Sequence, residues 1–210
     1  NEMTITVTPA EQTRLSSNRT VDPEVHDLVL RAQYFADKGS EVSLRQGLSY
    51  INQALAKKAN YAPAYATAAF IYGGLATVHA PPREVMPKAR AAAEKALQLD
   101  DTIADAHISL AGVLLFYDWD WPEAEKHLKR GLELNPSSAN GHVLYANYFA
   151  SQGRNEESLV ELQLARKLDP LSVGIQINLL FTMIGARQYD EAIAQSRLLA
   201  AREPDVALAY

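Results

Sequence analysis

Three prolines in the C-terminal half of the chain, Pro136, Pro170 and Pro204, are spaced 34 residues apart. The surrounding residues repeat too: in segments 96–112, 131–147 and 165–181 a helix-like run closes on a small residue, a polar or proline break follows, and a new run opens. Asp101 and Ala59 take the place of the proline in two earlier units. A fixed period of this length is typical of stacked supersecondary units, so the sequence predicts an all-α array of helix pairs.

Within each unit, small and large residues occupy fixed positions. A two-helix hairpin cannot bury its apolar faces alone, and small residues let neighbouring helices approach to about 8–10 Å. The small positions include Ala111, Ala146, Ala165 and Ala192, and the large ones Leu128, Leu162 and Tyr189. This pattern resembles the tetratricopeptide repeat (TPR). The resemblance implies a right-handed superhelical solenoid of antiparallel helix pairs, with a concave groove lined by the first helix of each pair.

Five such pairs are predicted within residues 22–206, at about 23–61, 62–103, 104–138, 139–172 and 173–206. Residues 1–21 are interpreted as a capping segment or the end of a preceding domain, with a strand over 3–7 and a short helix over 9–16, and residues 207–210 as the start of a truncated sixth repeat. The second unit carries eight extra residues, which we expect to form a loop over about 76–83, and the third carries one. The first unit diverges most, because Leu30 stands where a small residue is expected.

A second resemblance rests on longer runs of sequence: residues 7–15, 22–35, 81–111 and 116–136, of which the FYDWDW segment at Phe116–Trp121 is the most specific. These runs are similar to the TPR region of a group of large bacterial proteins in which a TolB-amino-terminal-like domain precedes the repeats. Further upstream those proteins carry a winged-helix DNA-binding domain, a Ser/Thr protein kinase or an adenylate cyclase. The resemblance implies that this chain belongs to a bacterial signalling or transcription-regulating protein.

Catalytic and cofactor-binding patterns are not found in the sequence. There is no phosphate-binding glycine loop, nucleophile elbow, HExxH or dinucleotide fingerprint, and the chain has no cysteine. We therefore expect no enzymatic activity and no cofactor. The net charge of -5 argues against binding to nucleic acid or an anionic membrane surface. Two stretches lack charged residues, 59–82 and 170–186, but the first is too broken and the second too short to span a bilayer. A cytoplasmic location is expected, or a periplasmic one if the parent protein has an upstream transmembrane helix.

Two groups of residues are of types found in functional sites, but their positions favour a structural role. His26, His107 and His142 fall at the fourth residue of the first helix in their units, and equivalent positions on successive pairs lie too far apart to share a zinc ion. They are interpreted as packing residues, while His79 and His127 look isolated. In the segment 118–121, Asp120 is expected to cap the following helix and Trp121 to wedge between the two helices of the hairpin.

The predicted function is that of a protein–protein interaction module. TPR domains that hold acidic C-termini need Lys and Asn at the fifth and ninth positions of the first helix, and here only Asn147 matches. An apolar helix or an extended peptide is therefore the expected ligand, although some of the groove positions could instead be covered by the superhelix itself. The candidate groove residues are Phe70, Ile108, Asn140, Val143, Asn147, Ile177, Asn178 and Phe181.

An alternative function is a structural or oligomerising array within a multidomain enzyme, such as an adenylate cyclase or protein kinase, whose catalytic domain lies outside this chain. The last helix bears Ile193, Leu198 and Leu199, which cannot all face inward. A terminal repeat needs a polar outer face, so these residues predict an end-to-end homodimer.

Overall fold

The structure, a computed structural model, describes residues 22–202, apart from the side chain of residue 78. Within this range there are ten α-helices, joined by short turns, and no strand. The predicted strand over 3–7, the helix over 9–16 and the start of a sixth repeat at 207–210 lie outside the described residues. The helices are α1 (Pro23–Asp37), α2 (Glu41–Lys57), α3 (Ala62–Val78), α4 (Pro82–Leu99), α5 (Ala104–Val113), α6 (Trp121–Leu134), α7 (Ala139–Ser151), α8 (Asn155–Leu168), α9 (Val173–Gly185) and α10 (Tyr189–Arg202).

The helices pair in chain order, so that α1 packs on α2, α3 on α4, and so on to α9 on α10. Each odd-numbered helix also touches the next odd-numbered helix as far as α9. The odd-numbered helices therefore form one continuous face of the stack, as expected for the first helices of successive repeats. The predicted all-α solenoid of antiparallel pairs is confirmed.

Polar side chains define where several helices begin. The side chains of Asp22, Ser40, Ser138 and Ser172 each accept a hydrogen bond from a backbone N–H in the first turn of the helix that follows. Asp120 does the same for α6, accepting from Glu123 N at 3.3 Å, which confirms the predicted cap. Each cap of this kind contributes about 0.5–2 kcal/mol to stability.

Small residues lie where the helices touch. Ala146, Ala165 and Ala111 are 0% exposed. In the first pair the small position is Ala32, also 0% exposed, while Leu30 is 50% exposed. The expectation that Leu30 occupies this position was therefore wrong by two residues. The reason lies in the partner helix, where a Cβ added to Gly47 would stand 3.0 Å from the carbonyl oxygen of Ala32, so only the smallest side chains fit at this contact.

The expected loop over residues 76–83 is also wrong. The helix α3 continues to Val78 and α4 already begins at Pro82, which leaves three residues between them. In the regular fourth unit the two helices have 13 and 14 residues, whereas α3 and α4 have 17 and 18. Each helix has thus gained four residues, close to the 3.6 residues of one turn. Adding about one full turn to each helix keeps the buried positions of both helices in phase. An insertion in a loop would not have to meet this condition.

The single extra residue of the third unit is taken up differently. The last turn of its first helix, Leu114–Asp118, is π-helical, and a π-turn is what one inserted residue produces in an α-helix. The backbone N–H of Asp120 donates to the carbonyl of Leu114 at 3.0 Å and closes the turn. The insertion is absorbed before α6 begins.

Four of the five hairpins turn through a residue with positive φ, two positions before the second helix. Two of these residues are glycines, Gly39 (φ 68°) and Gly153 (φ 73°), and two are not, Trp119 (φ 60°) and Arg187 (φ 60°). A left-handed conformation costs a residue with a Cβ roughly 1–2 kcal/mol. Gly39 and Gly153 avoid this cost, and the other two turns carry it.

We predict that Arg187→Gly raises the free energy of unfolding by about 1 kcal/mol, because glycine removes the left-handed strain. The matched change Arg197→Gly, at an exposed helical position of α10, should instead lower it by about 1 kcal/mol through lost helix propensity. Urea unfolding of the two variants measures both changes. Loss of stability in both variants would contradict the strain at Arg187.

Candidate binding groove

Two adjoining cavities open on the face formed by the odd-numbered helices. One, here called the acidic cavity, has a volume of about 340 Å³ and is lined by Gln33, Asp37, Ala66, Thr67, Phe70, Asp105, Ser109 and Asn140. The other, the apolar cavity, has about 500 Å³ and is lined by Ala69, Phe70, Gly73, Gly74, Ala76, Thr77, Pro82, Met86, Ser109, Gly112, Val113, Phe116, Asn140 and Leu144. Phe70, Ser109 and Asn140 line both. The two cavities are therefore parts of one groove that runs across α1, α3, α5 and α7.

The apolar cavity is built by the two departures from the regular repeat. Ala76, Thr77 and Pro82 belong to the extra turns of α3 and α4, and Phe116 belongs to the π-turn. Without the extra turns the walls formed by these residues would be missing. The insertions therefore shape this part of the groove rather than lengthening a surface loop.

The acidic cavity holds two carboxylates whose charged forms are disfavoured. Asp37 and Asp105 remain in contact with solvent, but the surrounding walls displace part of their water, and this desolvation raises the pKa of both. The carboxylate of Asp169 raises the pKa of Asp37 further by repulsion. Lys38, the next residue along the chain, places its Nζ over the ring of Tyr34, at 4.4 Å from the centroid.

Seven of the eight candidate groove residues fall into three groups. Phe70, at 37% exposure, and the exposed Asn140 line both cavities. Phe181 is 59% exposed, and Asn147 is half-buried. Val143 and Ile177 are half-buried against neighbouring hydrophobic clusters, and Asn178 donates to the carbonyl of Gly174 in its own helix at 2.8 Å.

Ile108 is 1% exposed and is a core residue rather than a groove contact. A Cβ on Gly131 of α6 would stand 2.6 Å from Ile108 Cγ1, and a Cβ on Gly141 of α7 would stand 3.0 Å from its Cδ1. The two glycines let both helices close over this side chain, so the fifth position of α5 does not reach the groove. The second position, occupied by Asp105, does. The sequence analysis did not predict Asp37, Asp105 or Met86 as groove residues. Asp105 could have been found, because it occupies the same position in its repeat as Asn140.

The histidines join helices through hydrogen bonds rather than through ring packing alone. His107 Nε2 donates to the carbonyl of Asp101 at 3.0 Å, and its Nδ1 lies 2.8 Å from Nδ1 of His127. Because a carbonyl only accepts, His107 Nε2 carries the hydrogen, so in the neutral pair His127 donates to His107. The expectation that His79 and His127 are isolated was therefore wrong, since His79 Nε2 also donates to the carbonyl of Gly39 at 2.9 Å. Burial, followed by the proximity of His107, lowers the pKa of His127.

His142 takes the equivalent place in the next unit. Its Nε2 donates to the carbonyl of Pro136 at 3.1 Å, and its Nδ1 lies 2.6 Å from Glu161 Oε2. Tyr65 and Gln176 make the same bond to the carbonyl six residues earlier. The fourth position thus ties the first helix of the second to fifth units to the turn before it. Within residues 22–202 no three metal-ligating side chains come together.

The two tryptophans of the third hairpin have different environments. Trp121 is half-buried and packs against the main hydrophobic cluster, as expected for a wedge, although its Nε1 lacks a hydrogen-bond partner. Trp119 is 69% exposed. Asp118 pairs with Arg90, so its carboxylate serves a contact between α4 and this turn.

At the far end of the stack, only part of the predicted apolar surface exists. Ile193 and Leu198 are 49% and 65% exposed, but Leu199 is 2% exposed and packs on Leu180. The interpretation of Leu199 as a surface residue was wrong, because it faces α9. None of the helices in the described part of the chain has the length and hydropathy of a membrane span.

The position of Asp37 is unfavourable for a charge in three ways: desolvation, repulsion from Asp169 and a place at the C-terminal end of α1, where the helix dipole disfavours an anion. The pKa of Asp37 is higher in the folded state than its ordinary value of 3.8. The free energy of unfolding therefore falls as the pH rises from 3.8 through the raised pKa. We predict that Asp37→Asn stabilises the protein at pH 7 by less than about 1 kcal/mol, given solvent screening, and that the gain vanishes below pH ~4. Thermal unfolding across this pH range measures it. Asp101→Asn, at an exposed turn, is the control; an equal gain there would contradict the argument.

No protein-family model matches the chain, and no curated protein matches it by sequence. Solved structures do. TTC0263, a thermophilic TPR protein of Thermus thermophilus, aligns with a TM-score of 0.68 and 15% identity over 88% of this chain and 94% of its own. PilF of Pseudomonas aeruginosa aligns with a TM-score of 0.61 and 15% identity, over 86% and 77%. YrrB, described as a TPR protein with an unusual peptide-binding site, aligns with a TM-score of 0.54 and 20% identity over 97% of both chains. The described part of the chain therefore has the fold of a TPR solenoid.

Proposed function

We propose that this chain is a protein–protein interaction module that binds an apolar helix or an extended peptide in the groove of its odd-numbered helices. The observation that carries the proposal is the pair of adjoining cavities that share Phe70, Ser109 and Asn140. Their volumes, about 340 and 500 Å³, lie in the range of ligand sites in proteins. The peptide-binding site of the structurally similar YrrB supports a peptide as the ligand class.

The proposed setting is a larger bacterial signalling or transcription-regulating protein, as the resemblance in residues 81–111 and 116–136 suggests. In that setting the chain would supply recognition and the parent protein the output. We propose no enzymatic activity or cofactor for this chain, and no nucleic-acid or membrane partner. The net charge of -5 supports the last two statements. The proposed location is cytoplasmic, or periplasmic if a transmembrane helix precedes the chain.

Gly73 offers a sharp test of groove binding. It lies in α3 on the wall of the apolar cavity, and a Cβ built there meets no atom within 4 Å. We predict that Gly73→Trp fills the cavity without loss of stability, since glycine is a poorer helix former than tryptophan by about 0.5 kcal/mol, and that it abolishes binding of peptides selected from a random phage-displayed library. Asn52→Trp, at an exposed position of α2, is the control and should bind as the unmodified chain does. Equal binding by the two variants would place the ligand outside the groove.

A second candidate function is self-association. Ile193 and Leu198 of α10 are exposed, and burial of each large apolar side chain contributes about 1.5–3 kcal/mol. An end-to-end contact of two copies through this helix would support the alternative of an oligomerising array in a multidomain enzyme.

The test of self-association is sedimentation velocity at rising protein concentration. We expect the unmodified chain to show a weak dimer, and Ile193→Glu combined with Leu198→Glu to remain monomeric, because charged side chains cannot be buried unpaired at the contact. Val42→Glu with Val160→Glu, at exposed positions of α2 and α8, is the matched control. A monomer at every concentration for all three proteins would exclude this function for the chain.

A further inference from the structure

The groove has a distribution of charge that selects among peptides. Across the residues that line the two cavities, all within the described part of the chain, there are two carboxylates, Asp37 and Asp105, and no Lys or Arg. Asp169 adds a third carboxylate close enough to act on Asp37. A peptide with acidic residues would meet like charge along these cavities, whereas a cation would offset the repulsion of Asp169 on Asp37 and the desolvation of Asp37 and Asp105.

The other half of the groove is apolar and wide. Met86, Val113, Phe116 and Leu144 line it together with Phe70, and Phe70 and Phe116 are 37% and 49% exposed. Large apolar side chains left open in a concave site are typical of an interaction surface. The extra turns of α3 and α4 and the π-turn all converge on this cavity, so every departure from the regular repeat in the second and third units contributes to it.

We propose that the groove recognises a segment in which a Lys or Arg lies within a few residues of a large apolar side chain, the cation pairing with Asp37 and Asp105 and the apolar side chain entering the cavity between Phe70 and Phe116. This inference rests on the proposed function and specifies the chemistry of its ligand. The short separation follows from the shared lining of the two cavities by Phe70, Ser109 and Asn140. Phe70 also presents an apolar surface to the aliphatic stem of the basic residue.

The placement of Asp37 supports the cationic part of the ligand. Its charge is opposed by desolvation, by Asp169 and by the end of α1, so it does not stabilise the free protein. A bound cation would compensate for these effects by its attraction to the carboxylate. Charges that cost stability in the free protein are typical of binding sites.

The experiment uses synthetic 12-residue peptides of serine and glycine, each with one Trp and one Arg separated by one to five residues and labelled with fluorescein. Matched sets carry Glu in place of Arg, or Ser in place of Trp. Fluorescence anisotropy at low and high ionic strength measures their affinity for the whole chain. We expect the best Arg/Trp peptide to bind at least ~10-fold more tightly than its Glu/Trp counterpart at low salt, and less selectively at high salt. Replacement of Trp by Ser should weaken binding by a similar factor.

Two protein variants assign this selectivity to the groove. Asp37→Asn with Asp105→Asn should reduce the preference for Arg over Glu to less than ~3-fold, while Asp37→Asn alone raises the melting temperature at pH 7. Asp101→Asn with Asp190→Asn changes the net charge equally at exposed positions outside the cavities and should keep the preference. A purely structural role for Asp37 would not combine higher stability with weaker selectivity.

The outcomes separate the two levels of the proposal. If Glu/Trp peptides bind as tightly as Arg/Trp peptides and Gly73→Trp abolishes both, the groove binds peptides but the charge inference is wrong. If the Asn double variant keeps the full preference for Arg, the inference is wrong as well. If Gly73→Trp leaves the binding of every peptide unchanged, or no peptide binds, both the inference and the proposed function are overturned.

Discussion

Close contact between helices at small residues is the interaction on which the rest of the structure depends. At the contact of α1 and α2, the space between Gly47 and the carbonyl of Ala32 is too small for an added side chain without movement of the neighbours. At the contact of α5, α6 and α7, Gly131 and Gly141 close over Ile108 from two sides. Because interiors are close-packed, an added methyl group at such a contact must push its neighbours apart. These contacts hold successive pairs in a fixed relation, and the face shared by the odd-numbered helices follows from it.

A repeat held this tightly can change only in ways that leave its contacts in phase. One full turn added to both α3 and α4 satisfies this condition, and so does a π-turn before the turn into α6. Both changes lie at the end of the hairpins, away from the small-residue contacts at their centre. They provide Ala76, Pro82 and Phe116, which wall the apolar cavity. The fold is thus maintained by the regular part of each unit, and the shape of the groove is set by the irregular part.

The polar residues also divide into those that maintain the stack and those that line the groove. The fourth position of the first helix repeatedly bonds the carbonyl six residues earlier, through Tyr65, His107, His142 and Gln176, and so serves the stack. Asp37 and Asp105 have no comparable role, and desolvation raises the pKa of both. Their cost to the free protein is consistent with a role in binding. A groove with an acidic end and an apolar end can then distinguish partners by charge as well as by shape.

The sequence by itself determined the period, the helical class and the small positions Ala111, Ala146 and Ala165, because these depend on local spacing that every unit repeats. It also named Phe70 and Asn140, which line both cavities, and it predicted Asp120 as a cap. Leu30, Ile108 and Leu199 were misplaced, since whether a side chain is buried depends on the neighbouring helix, which a single unit does not reveal. The eight extra residues could have formed a loop or two helical turns with the same composition, and only the packing of α3 against α4 decided for the turns. The approach of Asp169 to Asp37 joins residues in the first and fourth units, and it arises from the path of the whole stack rather than from any local pattern.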